Sequence, residues 1–332
     1  MKKIIALALT VLIALSCLTA CGKAPASAEA GKEIKVGICN YVDDASLNQI
    51  VDNIQSRLKE IGEENGVTFN VSYDNCNADA NLMNQIISNF IADGVDIMVG
   101  VATPVAMAMQ AATEDNQIPV VFAAVSDPVS TGIVESLEAP GSNVTGTSDA
   151  LNTAFILDMM LAANPDIKTV GLLYSNSEAN STTPIAEAKA YLQEKQIDFV
   201  EKTGNTSGEI VEAAASMVGR VDAVFTPTDN VVMAAEVTVA EALNEAGIPH
   251  YTGADSFVAA GAFATCGVNY TELGTYTADM ALDILETGVV PAYHVMDGGI
   301  ITVNTETAAA LGIDYSAFND LAGQVVEVTT AE

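Results

Sequence analysis

The side chains of this chain that could bind something sit in polar runs that directly follow short β-branched segments. Thr103 and Ser126 offer hydroxyls that can donate to an anion, while Asp127, Asp229 and Asp255 can accept from a cation. Thr228 lies beside Asp229, Asn40 and Tyr41 close the first β-branched run, and Asn180 and Ser181 occupy the corresponding stretch of the second half. With them, the candidate ligand-binding set is Asn40, Tyr41, Thr103, Ser126, Asp127, Asn180, Ser181, Thr228, Asp229 and Asp255. Capping competes with ligand contact. Thr103-Pro104 and Asp127-Pro128 read as helix starts, an N-cap followed by proline at the first helical position. Asp229 and Asn230 could likewise cap a helix beginning near Val231, and Ser181 or Thr183 one beginning near Pro184. Tyr41, Phe122, Tyr174 and Phe263 are candidates to wall a ligand ring. Catalysis finds little support. The two histidines, His250 and His294, have no metal-ligand or triad spacing, and no GxSxG, Walker or GxGxxG run is present. A non-enzyme with no metal and no cofactor is expected.

These runs need elements to position them. Ile34–Cys39, Thr68–Tyr73, Ile97–Val101 and Val120–Ala124 read as strands, and amphipathic helices over Leu47–Asn65, Leu82–Ala92 and Val105–Thr113 alternate with them. In Leu47–Asn65 the apolar residues Ile50, Ile54, Leu58 and Ile61 fall on one helical face. The second half repeats the order. Val36-Gly37-Ile38-Cys39-Asn40-Tyr41 is echoed by Val170-Gly171-Leu172-Leu173-Tyr174-Ser175, and Val95-Asp96-Ile97-Met98-Val99 by Val221-Asp222-Ala223-Val224-Phe225. Ile118-Pro119-Val120, leading to Ser126-Asp127-Pro128, is echoed by Ile248-Pro249-His250, leading to Ala254-Asp255-Ser256. The expected fold is α/β: two similar Rossmann-like lobes with parallel sheets, joined by three crossings around a ligand cleft. Residues 33–146 with 270–297 form one lobe and 147–269 with 298–332 the other. The crossings are expected near Gly146-Thr147-Ser148, Asn269-Tyr270 and Asp297-Gly298-Gly299.

The ends and the composition narrow the class. Lys2 and Lys3 followed by the apolar run Ile4–Leu15 read as a signal peptide over residues 1–21, too short to span a membrane. Leu18-Thr19-Ala20-Cys21 resembles the bacterial lipobox, in which Cys21 would be lipidated, and residues 22–32 read as a flexible tether. Cys17 fits worse, with Ala14 where leucine is wanted. Twelve basic residues, two of them in the leader, stand against 43 acidic ones, a surface that repels nucleic acid and anionic lipid. The expected body is an exported monomer, held to the outer face of the cytoplasmic membrane by its lipid alone. Cys39, Cys76 and Cys266 have no CxxC spacing; Cys39 could pair with Cys76, or all three could be buried free thiols.

Taken together, Ala102-Thr103-Pro104, Ile118-Pro119-Val120-Val121-Phe122, Ser126-Asp127-Pro128-Val129 and Gly141-Ser142-Asn143-Val144-Thr145-Gly146-Thr147-Ser148-Asp149 resemble the tryptophan/tyrosine ABC-transporter substrate-binding family. Tyr174-Ser175-Asn176-Ser177-Glu178-Ala179-Asn180-Ser181, Pro227-Thr228-Asp229-Asn230 and Gly253-Ala254-Asp255-Ser256 extend the likeness over nearly the whole mature chain. The resemblance implies a type I periplasmic-binding-protein fold, an amino acid as cargo, aromatic or hydrophobic, and an ABC permease with its ATPase as partners. It implies that Thr103 and Ser126 hold the cargo's carboxylate and Asp229 its ammonium. A sensor that reports a solute to a membrane receptor is the alternative, and a binding protein for another small solute a third reading.

Overall fold

The computed structural model describes residues 33–331, so the leader, Cys21 and the tether lie outside the described residues. The chain first lays down β1 (Glu33–Asn40), α1 (Ala45–Asn65), β2 (Thr68–Asn75), α2 (Ala80–Asp93), β3 (Ile97–Val101), α3 (Thr103–Thr113), β4 (Val120–Ala123) and β5 (Val144–Ser148). It continues through α4 (Thr153–Ala163), β6 (Thr169–Tyr174), α5 (Thr182–Glu194), β7 (Asp198–Thr203), α6 (Ser207–Ala215), β8 (Ala223–Thr226), α7 (Asn230–Met233), α8 (Glu236–Glu245), β9 (His250–Thr252), α9 (Asp255–Ala259) and β10 (Ala264–Gly267). The last stretch adds α10 (Tyr270–Thr287), β11 (His294–Val295), β12 (Ile300–Asn304), α11 (Thr305–Leu311) and β13 (Gln324–Val328).

Two sheets result, one ordered β11-β5-β4-β3-β1-β2 and the other β13-β12-β10-β9-β8-β6-β7. Setting aside the late strands, the first reads 2-1-3-4-5 and the second repeats that order with β6 in the place of β1. Every pairing is parallel except β10 with β12. The internal echo in the sequence is thus an echo of topology. In this winding the order reverses beside the first strand of each sheet, and a ligand crevice opens there, outside the carboxyl ends of the strands.

Local chemistry explains the elements that matter for the cleft. In α1, Ile50, Ile54, Leu58 and Ile61 are buried on one face, Asp44 caps the start by accepting from the N–H groups of Ser46 and Leu47, and Gly66 ends the helix at φ 65°. The late helix α10 packs on α1, and its Gly274 is essential to the approach, since a Cβ there would stand 2.6 Å from the Ile50 carbonyl. A hydroxyl pair, Thr147 with Thr277 at 2.7 Å, fixes the same helix to β5. The chain passes between the sheets three times, between Ser148 and Thr153, between Gly267 and Tyr270, and between Val295 and Ile300. One apolar cluster runs through both halves, joining Val101, Ala102 and Ala124 to Val232, Ala254, Phe257 and Leu273.

Both histidines have structural settings. His250 is fully buried in β9, its Nδ1 2.9 Å from Glu236 and its Nε2 2.8 Å from Thr226. His294 stacks on Tyr276 with ring centroids 4.0 Å apart. Cys39, Cys76 and Cys266 are free and buried.

Candidate functional site

Where the carboxyl ends of the two sheets face each other, a small, tightly lined cavity lies between them. The first sheet's side contributes Ser46 and Leu47 from the first turn of α1, Ala102 and Thr103 from the β3–α3 junction, Ala124 and Ser126 from beyond β4, and Asp149 from the first crossing. The second contributes Asn180 from a short 3₁₀ turn and Thr228, Asn230 and Met233 around α7, and Tyr270, the first residue of α10, completes the lining at the second crossing. Of the expected residues, Thr103, Ser126, Asn180 and Thr228 meet here.

The remaining candidates stand around the cavity instead of lining it. Asp229 is fully buried and accepts four hydrogen bonds: from the N–H groups of Val231 (3.1 Å) and Val232 (3.0 Å), which it caps, from the N–H of Ser175 (2.7 Å), and from the hydroxyl of Ser181 (2.6 Å). Its carboxylate is saturated by the chain itself, so the geometry makes it a cap and a brace, with Ser181 as its partner. Asp127 starts no helix; it closes a turn by accepting from the N–H of Ser130 and also accepts from the Thr183 hydroxyl at 2.8 Å. Asp255 accepts from the Ser46 hydroxyl at 2.5 Å. Asn40 is buried and donates to Asn48 at 3.1 Å, and Tyr41 is half-buried against both apolar clusters of the first sheet. Phe122 and Phe263 are core residues, and Tyr174 donates to Glu201 away from the cavity.

Three contacts latch the cleft across the two sides: Ser126 to Thr228 between hydroxyls at 3.0 Å, Thr183 to Asp127, and Ser46 to Asp255. The Ser46 hydroxyl also accepts from the N–H of Ser256 at 3.2 Å. The structure is therefore that of a closed cleft.

The floor of the cavity is shaped by strain. Ala102 has φ 77° and Ala124 φ 55°, left-handed values that a residue with a Cβ holds at a cost of about 1–3 kcal/mol each. Ala102 is also where sequence reasoning misplaced the cap. Thr103 is the first residue inside α3, Ala102 precedes it, and no side chain caps this N-terminus. Its first-turn N–H groups and the Thr103 hydroxyl are left for an anion.

The opposite charge has its own place. Asp149 is buried and accepts a hydrogen bond from the Ser126 hydroxyl at 3.1 Å. Burial pushes its carboxyl up to about 6. Behind Asn180 and Asn230, Glu178 is buried and accepts from the Asn230 amide at 2.6 Å; burial, and next the charge of Asp229, push it up to about 7. Burial likewise raises Asp44, Asp229 and Asp255. Among the described residues no ion pair involves any of these five carboxyls. The Asn180 Oδ1, buried at the cavity, has no partner either. The cavity and its surroundings thus offer acceptors without a matching positive charge.

Sequence reasoning missed Asp149, Ser46, Asn230, Met233 and Tyr270 as cavity residues. Asp149 ends a run that the family resemblance already contained, but it has no echo in the second half. Tyr270 was placed at a crossing and given no further role.

A two-lobed body with duplicated topology, three crossings and a polar cavity shut between the lobes is the architecture of a solute-binding protein. The chain belongs to the ABC transporter substrate binding protein family, whose model matches residues 35–325. A tyrosine-binding protein of Clostridioides difficile (strain R20291) is 32% identical over 321 residues, 93% of this chain and 92% of that protein. Among solved structures, an ABC domain in complex with L-Trp from Streptococcus pneumonia is 32% identical with a TM-score of 0.82, over 89% of this chain and all of that one. The ligand-free, open structure of a substrate binding protein with adhesive properties from Clostridium difficile is also 32% identical, over 90% of this chain and 100% of that one, but has a TM-score of 0.68. At equal identity, the better fit to the ligand complex agrees with the closed cleft seen here.

The raised carboxyls fix how stability depends on pH. Between the ordinary carboxylate range and about 6 to 7, Asp149 and Glu178 still hold protons in the folded state that the unfolded chain has lost. Stability of the ligand-free protein should therefore fall as pH rises from 5 to 7.5, by on the order of 2 kcal/mol. Below that window the trend should reverse. Asp127 and Glu201 are buried enough to be raised, but hydrogen bonds, from Ser130 and Thr183 to the one and from Lys189 and Tyr174 to the other, hold both below the usual range. Denaturant midpoints at pH 4, 5, 6 and 7.5 check this, and Asp149→Asn should flatten the slope above pH 5.

Proposed function

We propose that this chain is the extracytoplasmic solute-binding lipoprotein of an ABC importer, and that it captures an aromatic or hydrophobic amino acid by closing its lobes over it. Residues 33–146 with 270–297 close against 147–269 with 298–332, and the captured solute passes to a membrane permease driven by an ATPase. The observation that carries the reading is the polarity of the closed cavity. An uncapped helix N-terminus with Thr103, and Asp149 with the free oxygen of Asn180, line the same cavity with opposite polarity. This is the charge pattern of a free α-amino acid. The carboxylate lies at the α3 amides, and the ammonium replaces the proton that burial otherwise keeps on Asp149. Leu47, Met233 and Tyr270 offer apolar surface for the side chain. A tyrosine-binding relative and a relative bound to L-Trp support an aromatic cargo.

In this reading Asp149 takes the role that the family resemblance gave to Asp229. Calorimetric titration with L-tyrosine and L-tryptophan tests it. Asp149→Asn should weaken binding by roughly 2–5 kcal/mol, the range for removing one member of a buried charge pair. Thr103→Ala should cost about 1.5–3 kcal/mol, one hydrogen bond to a charged group. Asp229→Asn should lower the melting temperature and leave affinity within several-fold, because its hydrogen bonds are all to the protein. A chain whose affinity is unmoved by Asp149→Asn and lost with Asp229→Asn would return the ammonium to Asp229. Absence of binding by any of the twenty amino acids would end the amino-acid reading.

Anchoring rests on the lipobox-like run before Cys21 and on its short apolar leader. Among the described residues no helix is long and apolar enough to cross a membrane. Cys21→Ser should release the exported chain from the membrane fraction into the medium or periplasm; retention in that fraction would place the anchor elsewhere.

A further inference from the structure

Two loops of the second lobe meet at the cavity, one after β6 and one after β8, and side chains stitch them together. From the first loop, the Ser175 N–H (2.7 Å) and the Ser181 hydroxyl (2.6 Å) donate to Asp229 of the second. The Asn180 amide donates to the Thr228 carbonyl at 2.5 Å. In the other direction, the Asn230 amide donates to the Glu178 carboxyl at 2.6 Å. The first loop also holds itself in a tight turn. The Ser181 N–H donates to the Glu178 carbonyl at 3.2 Å, and the Glu178 N–H to the Ser175 carbonyl at 3.4 Å.

These bonds decide which way two cavity-lining amides face. A side-chain amide donates at its nitrogen and accepts at its oxygen. Opposite a main-chain carbonyl only the nitrogen can bond, so Asn180 turns its NH2 to Thr228, and its Oδ1 is left buried without a partner. Opposite an ionised carboxyl the same choice is forced on Asn230, with NH2 toward Glu178 and Oδ1 away from it. The two amides differ in what holds them. Asn180 is held by main chain, which no substitution removes, whereas Asn230 is held by one buried side chain that does not itself line the cavity. Asp229 opposes the ionisation of Glu178 and Glu178 opposes that of Tyr41, and among the described residues no ion pair engages it. A buried carboxyl without a cation is costly, yet the fold keeps one directly behind a cavity residue.

From this stitching we infer that Glu178 is a positioning residue: it fixes the Asn230 amide with its oxygen turned toward the bound solute, so that Asn230 and Asn180 present two amide oxygens to the cargo's ammonium. Glu178 touches no cargo and acts through Asn230. Without it the Asn230 amide can turn over and offer its NH2, a donor set against another donor. The identity of the solute rests on the amino-acid reading above, whereas the orientation of the amide is a property of the ligand-free chain.

Two measurements read the amide and the cargo separately, both at about pH 8, where Glu178, pushed up to about 7, is ionised. In the first, the ligand-free full chain carries isotope-labelled asparagine, and the Asn230 side-chain NH2 signal is assigned by its loss in Asn230→Ala. That NH2 should exchange slowly with solvent. In Glu178→Met, of similar length but without an acceptor, it should exchange at least about tenfold faster, and in Glu178→Gln, whose oxygen still accepts, it should stay slow. In the second, calorimetric titration with L-tryptophan should find Glu178→Met weaker on the order of tenfold, as for losing a hydrogen bond to a charged group, and Glu178→Gln within about threefold of the wild type. Glu178→Met added to Asn230→Ala should cost nothing further, because the one acts through the other. Fast exchange of the Asn230 amide in the wild type, or exchange unmoved by Glu178→Met, overturns the inference whatever binds. So does tryptophan binding that survives Glu178→Met or that Glu178→Gln fails to restore. Where Glu178→Met does not fold, exchange in the wild type and binding by Glu178→Gln still decide. A slow amide that depends on Glu178, in a protein that binds none of the twenty amino acids, upholds the positioning and counts against the amino-acid reading alone.

Discussion

Burying Asp149 without a cationic partner is the constraint on which the site turns. A carboxylate removed from water needs a counter-charge or a proton, because an isolated buried charge costs several kcal/mol. Ser126 supplies one hydrogen bond, and Glu178, Asp229, Asp44 and Asp255 surround the same cleft without adding a positive charge. The closed cleft thus carries a surplus of buried carboxyls that protons must relieve. A ligand bearing an ammonium relieves it better, which gives the closed state a reason to prefer that ligand. The saturated hydrogen bonding of Asp229 shows the contrast: its four donors all come from the protein, while Asp149 accepts from the Ser126 hydroxyl.

The fold delivers this arrangement through repetition. Two sheets of the same 2-1-3-4-5 order bring their carboxyl ends face to face, so each loop after a strand finds a partner loop across the cleft. The late helix α10 returns to the first lobe and leaves Tyr270 and Asp149 at neighbouring crossings. Besides the three crossings, the latches Ser126–Thr228, Asp127–Thr183 and Ser46–Asp255 tie the two lobes together.

Much of this was legible in the sequence. The four strands and three helices expected in the first half fall within a few residues of those observed, because alternating β-branched runs and the Ile50-Ile54-Leu58-Ile61 spacing state their period directly. Thr103, Ser126, Asn180 and Thr228 were singled out as polar residues in the runs that follow strand-like segments, and all four line the cavity. What the sequence withheld is orientation. Nothing in Pro227-Thr228-Asp229-Asn230 says that Thr228 and Asn230 face the cavity while Asp229 turns back to cap α7. The Thr103-Pro104 pair suggested a cap one residue away from the actual helix start, since a strained φ at an alanine carries no signature in its residue type. Asp149 lacked an echo because the crossings, unlike the lobes, are not duplicated.

The claim that cargo replaces a proton on Asp149 has a direct thermodynamic reading. Titration of the protein with L-tryptophan near pH 6, in buffers of different ionisation enthalpy, measures the protons exchanged on binding. Affinity carried by an ammonium against a carboxyl pushed up to about 6 predicts net proton release, with binding that weakens as pH falls through that value and a release that diminishes in Asp149→Asn. Tight binding with the same observed heat in every buffer, and no change in affinity between pH 5 and pH 7.5, would contradict it.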